Sequence, residues 1–157
     1  MTPLPSPSPK EWTTLHLICA AFATATVVYG AVGWLLVTSN RFELPHLAGT
    51  GGLARLAAVA AVLLLLGAPL IQRLLAQDRD ARRGSMPDVP FETYRQAIIV
   101  AFALREGAAI VGLAITLLSR DVRWVLALGA AAVLAMLLGW PREGAWQRLN
   151  EDPRFRP

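Results

Sequence analysis

Long stretches without any polar face alternate along this chain with short stretches dense in charge. Residues 15–37 carry no Asp, Glu, Lys or Arg, and residues 53–75 carry only Arg55 and Arg73, near their two ends, with Pro69 inside. Residues 98–118 are apolar apart from Arg105 and Glu106, and residues 122–140 carry one charge, Arg123. A helix of a soluble domain keeps one polar side. These segments are apolar all round, and each is close to the roughly 20 residues a helix needs to cross a bilayer. The pattern predicts an all-α membrane protein, a bundle of four transmembrane helices. The link between the last two segments, "SRDVR", is so short that they must form an antiparallel hairpin.

Charge sets the expected threading. With the N-terminus inside, the cytoplasmic side holds Lys10, Arg73, Arg79, Arg82, Arg83, Arg95, Arg142, Arg148, Arg154 and Arg156, against Arg41, Arg55, Arg120 and Arg123 on the other side. The excess of basic residues in cytoplasmic loops places both termini in the cytoplasm. Trp12, Trp34, Trp124 and Trp140 fall near the predicted span ends, where amphipathic rings settle at the headgroups. The expected location is the bacterial inner membrane, crossed several times.

Outside the spans the chain is less regular. Residues 1–14 open with "TPLPSPSP", which reads as a flexible Pro- and Ser-rich lead, and no basic region precedes the first apolar run as a cleaved signal would require. The four-helix domain then covers residues 15–140. In the loop "QDRDARRGSMPDVPFETY" the Pro-rich end leads into the third helix, with Asp88 or Glu92 near its start. Residues 141–157 form a basic cytoplasmic tail. A solvated tail is the favoured reading there, over a short interfacial helix around Trp146 and Leu149.

Candidate chemistry is sparse. The net charge of +4 fits cytoplasmic loops better than a nucleic-acid surface, so no nucleic-acid partner is expected. One cysteine, Cys19, allows no internal disulfide and no CxxC site, and it reads as a small buried apolar residue. His16 and His46 stand apart, so neither metal nor cofactor is expected. No phosphate loop, GxSxG or HExxH occurs, and the chain does not read as an enzyme.

Arg105 and Glu106 are the exception. Counted from Ala97 at about 1.5 Å per residue, they lie about 12 and 13.5 Å into the third span, where a charge costs about 2.5–3.5 kcal/mol to insert. Helix side chains lean toward the N-terminus, here the cytoplasmic side, so the long Arg105 stem can snorkel. Glu106 has no such escape and must be protonated, paired or facing a polar cavity. Neighbouring residues point about 100° apart on a helix, so Arg105 is not its natural partner. Thr24, Thr26 and Tyr29 on the first helix are the candidate partners. Around Glu106, Ala101, Ala108 and Gly112 form one row of small residues, and Ala103 with Gly107 forms another. Such rows let helix backbones approach closely in lipid.

The stretch "EGAAIVGLAITLL", Glu106 to Leu118, resembles the second helix of the rotary ATP synthase c subunit, in which an ion-carrying carboxylate precedes small and aliphatic residues and a Gly-Leu pair. The resemblance aligns Glu106 with the carboxylate and Gly112-Leu113 with the pair. It covers about a tenth of the chain. The preceding helix lacks that family's repeated glycines, and its "RQP" loop signature is missing. Over most of its length the chain is similar to small bacterial four-span membrane proteins with no assigned function, through "VVYGAVGWLL" and "EGAAIVGL". Two functions follow as expectations. The favoured one is a non-catalytic membrane subunit that packs with copies of itself or into a larger complex through the Gly/Ala rows. The alternative, implied by the c-subunit resemblance, is an ion- or proton-translocating protein with Glu106 as carrier.

Overall fold

A computed structural model describes residues 7–39, 51–83 and 91–151, and at 73, 75–83 and 149–151 the backbone alone. Arg41 and His46 in the first loop, Asp88 before the third helix, and the chain ends 1–6 and 152–157 lie outside the described residues. Every regular element is a helix among the described residues. In chain order they are α1 (Pro9–Thr38), α2 (Gly51–Arg83), α3 (Phe91–Ser119), α4 (Arg123–Leu138) and α5 (Glu143–Glu151).

Three of these, Pro9–Thr38, Gly51–Gln72 and Phe91–Ser119, are long and apolar enough to cross a membrane. The fourth apolar helix has 16 residues, a length of about 24 Å, which is short of a hydrocarbon core of about 30 Å. Its C-terminus is completed by the non-helical link Gly139–Arg142, in which Pro141 is buried.

Local chemistry explains where the helices begin and end. α1 starts inside the Pro/Ser-rich lead, earlier than residue 15. Ser8 accepts the Glu11 amide, the Glu11 carboxylate accepts the Ser8 amide, and Pro9 stands in the first helical position. That is a reciprocal cap with a proline where its missing N–H costs nothing. α2 runs through Pro69 and continues to Arg83, so the first part of the charged loop is helical. α3 begins at Phe91 with Glu92 in its first turn, which suits the positive end of a helix. The turn into α4 is tight. Arg120 takes a positive φ of 56°, and Asp121 accepts the Arg123 amide on its side chain and the Trp124 amide on its backbone. The next amide, Val125, donates to the Thr116 hydroxyl of α3 at 2.9 Å. The opening amides of α4, which no helix can satisfy by itself, thus all find acceptors.

α3 is the central helix. α1, α2 and α4 pack along it, and α4 also touches α1 and α2, whereas α1 and α2 make no substantial contact with each other. Small residues set the closest approaches. A Cβ on Gly112 would stand 3.0 Å from Leu128 Cβ of α4, and one on Gly33 of α1 would stand 2.9 Å from Leu113 Cδ1 and 3.1 Å from Val125 Cγ1. On the α2 side Ala61, Ala108, Ile115 and Leu128 form a buried cluster.

The other cluster is aromatic and closes the end of the bundle where α1 and α3 begin and α4 stops. Leu15, Cys19, Tyr94, Phe102, Met136 and Trp146 are buried in it. Trp12 lies 4.9 Å from Phe91 between ring centres, and Trp140 lies 6.1 Å from both His16 and Phe102. α5 is the short helix that the solvated-tail reading had set aside. Its Trp146 is 7% exposed and meets Phe91 edge-on at 6.2 Å, and burying that ring orders the tail.

Candidate functional site

Tyr29 of α1 donates its hydroxyl proton to Glu106 Oε1 at 3.0 Å. Of the three partners the sequence offers, this is the one that reaches. Thr24 is exposed on α1. Thr26 is buried but turned elsewhere, donating to the Phe22 carbonyl at 3.0 Å and lying 4.0 Å from Met136 Sδ. Positions 26 and 29 are three apart and share a side of α1 only loosely. Tyr29 stands on the edge nearer α3, and the length of its side chain closes the gap.

Glu106 itself is half-buried. It stands at the margin of the α3 face that meets α1. Beyond it lies an arc of α3 that no described helix covers, where Ala103 and Ala114 are exposed and Ile110 is 47% exposed. Because α1 and α2 flank this arc without substantial contact with each other, α3 floors a shallow trough between them among the described residues. Gly107 lies on the α2 margin, where an added Cβ would have Leu64 Cδ1 at 3.9 Å, an ordinary contact. The rows of small residues therefore divide. Ala101, Ala108 and Gly112 are buried inside the bundle, whereas Ala103 and Gly107 lie in or beside the trough.

Arg105 points the other way. It is 6% exposed, so its guanidinium does not snorkel out to water. It lies against Gly139, where an added Cβ would stand 2.5 Å from Nη1 and 2.8 Å from Nη2, and its Cζ is 5.5 Å from the Phe102 ring centre. Gly139 is the C-cap of α4. The cation thus meets the negative end of a helix and the face of an aromatic ring, two placements that stabilise a guanidinium away from water. Arg105 makes no ion pair among the described residues, and its Nε is buried without a hydrogen-bond partner. Arg105 and Glu106 are thus separated in role: one holds the end of α4, the other lines the trough.

Sequence reasoning missed the aromatic end and the place of His16 in it. His16 Nε2 lies 3.2 Å from the Pro141 carbonyl, and its ring stacks with Trp140 at 6.1 Å. The recurrence of Trp12, His16, Phe91, Tyr94, Trp140 and Trp146 near three predicted helix ends on one side was the available signal. Cys19 is buried as a free thiol, as a small apolar residue would be. Among the described residues no group of His, Cys, Asp and Glu could hold a metal ion. In comparisons with known proteins, no family model, no curated protein and no solved structure matches this chain.

Proposed function

We propose that this chain is an integral, multi-pass membrane subunit without catalytic activity, which packs against a partner helix through the outer arc of α3. In this reading four helices cross the bacterial inner membrane, α4 completed by the Gly139–Arg142 link, and both termini lie in the cytoplasm. The observation that carries it is the trough: a strip of the central helix that no described helix covers, small at Ala103 and Ala114, and bordered by Glu106, the one carboxylate deep in the apolar part of the bundle among the described residues. Helices in lipid associate where small residues allow close approach and a polar side chain adds a bond. The buried row of Ala101, Ala108 and Gly112 serves the chain's own folding, so association falls to the trough.

The test is the mass of the particle extracted in a mild detergent. The parent chain runs as a complex larger than its 16.9 kDa, and Ala103→Trp, which fills the trough from an exposed position, releases a folded monomer. A parent that is monomeric at every detergent concentration contradicts the proposal. Cysteine accessibility at both termini tests the threading, and finding either one outside overturns it.

A second reading, ion or proton transfer by Glu106, is favoured by its incomplete burial, since a carrier must be reachable. The two readings separate on carbodiimide labelling in native membranes. A carrier reacts at Glu106 with a rate that changes with pH, and a carboxylate covered by a partner helix reacts slowly.

A further inference from the structure

We infer that the occupant of the trough is a transmembrane helix of a different protein, carrying a lysine or arginine at the depth of Glu106. The inference rests on the subunit reading above and goes beyond it by naming the partner's chemistry. Tyr29 satisfies one oxygen of Glu106, and no other described residue gives the carboxylate a hydrogen bond or an ion pair. Arg105, next to it in the chain, is turned away to Gly139. Lipid tails filling the trough would bring no second donor, and a carboxylate at this depth is costly unless it is protonated or paired. A helix seated over Ala103 and Ala114 can bring a cation to the open side of Glu106, and pairing is how ionisable groups inside a bilayer are ordinarily accommodated.

Among the described residues, a second copy of this chain offers no accessible cation at the depth of Glu106. Leu64 of α2 stands beside Gly107, so Arg55, nine positions earlier on α2, lies about 13.5 Å from the level of Glu106 at 1.5 Å per residue. Arg73 lies the same distance along α2 the other way. Arg120 sits in the turn between α3 and α4, and Arg123 opens α4, at the far end of α3 from its start. None of these cations stands at the depth of Glu106, and Arg105, which does, is enclosed.

The test uses the full chain in phosphatidylcholine vesicles, labelled on the variant Gln147→Cys, position 147 being exposed. The probes are two designed helices of about 20 residues, rich in leucine, one with a lysine at its centre and one with leucine there. Energy transfer to the labelled protein reports binding. The lysine helix is expected to bind the parent about tenfold more tightly than the leucine helix, and Glu106→Gln, which retains the Tyr29 bond, is expected to erase that preference. Equal binding of the two helices to the parent overturns the inference, as does a preference that survives Glu106→Gln. Self-association that outcompetes the lysine helix and depends on Glu106 overturns it in favour of a second copy. If the extracted parent is a complex yet shows no lysine preference, this inference falls while the subunit reading stands.

Discussion

The guanidinium of Arg105 fills the space that a side chain on Gly139 would need. A Cβ there would lie 2.5 Å from Nη1 and 3.0 Å from Cζ, so the guanidinium of Arg105, a residue 6% exposed, would have to shift within the bundle. Gly139→Ala is expected to destabilise the protein by about 1–3 kcal/mol, the usual cost of overpacking. Combining it with Arg105→Leu should cost less than the two changes summed, because the shortened side chain leaves room. Thermal unfolding of the four proteins in detergent measures the coupling. Simple additivity would show that the two residues do not meet.

Two other glycines respond in opposite directions. At Gly112 a methyl group would press on Leu128 Cβ at 3.0 Å and on the Trp124 carbonyl at 3.3 Å, so Gly112→Ala forces α3 and α4 apart and costs about 1–3 kcal/mol. At Gly129 of α4 nothing lies within 4 Å of an added Cβ, and Gly129→Ala should stabilise by about 0.5–1 kcal/mol, the backbone freedom a helical glycine gives up. Unfolding midpoints of the pair check both signs.

Thr116 accepts the buried Val125 amide across the hairpin. Thr116→Val keeps the volume and removes the acceptor, leaving an amide unpaired at a cost of about 1–3 kcal/mol. Hydrogen exchange should accelerate at Val125 in the variant. Unchanged exchange there would mean that the amide has another acceptor.

Tyr29→Phe removes the hydroxyl from Glu106. Hydrogen bonds between membrane helices average about 0.6 kcal/mol, so a small loss of that order is expected. Glu106→Gln keeps an acceptor for Tyr29 and should unfold close to the parent, while Glu106→Leu loses the Tyr29 bond but also removes the costly carboxylate, so its loss should be smaller than that of Tyr29→Phe. In a double-mutant cycle Tyr29→Phe should add little on top of Glu106→Leu.

How far the fold could be read in advance differs from element to element. The four apolar segments were visible because hydropathy depends on composition alone. Their ends were not. Residues 8–11, Ser-Pro-Lys-Glu, hold a helix cap in plain sight, but they sit within a Pro/Ser run whose composition says flexible. Tail order depended on Trp146 finding Phe91, 55 positions away, which no local pattern states. At the site, Tyr29 stood among three candidates because depth in the bundle follows from counting residues. Choosing it needed the rotation of α1 about its axis. The place of Arg105 was out of reach for a related reason: its cradle exists only because α4 stops at Gly139 and leaves a helix end inside the bundle.

Site-specific photo-crosslinking in native membranes tests the trough most directly. A photoreactive side chain is placed at Ala114, on the floor, and in a second variant at Leu63, 63% exposed on α2. The prediction is a protein adduct from position 114 that Glu106→Leu weakens, with lipid adducts alone from position 63. Lipid adducts alone from both positions would contradict the claim that a partner helix lies on α3.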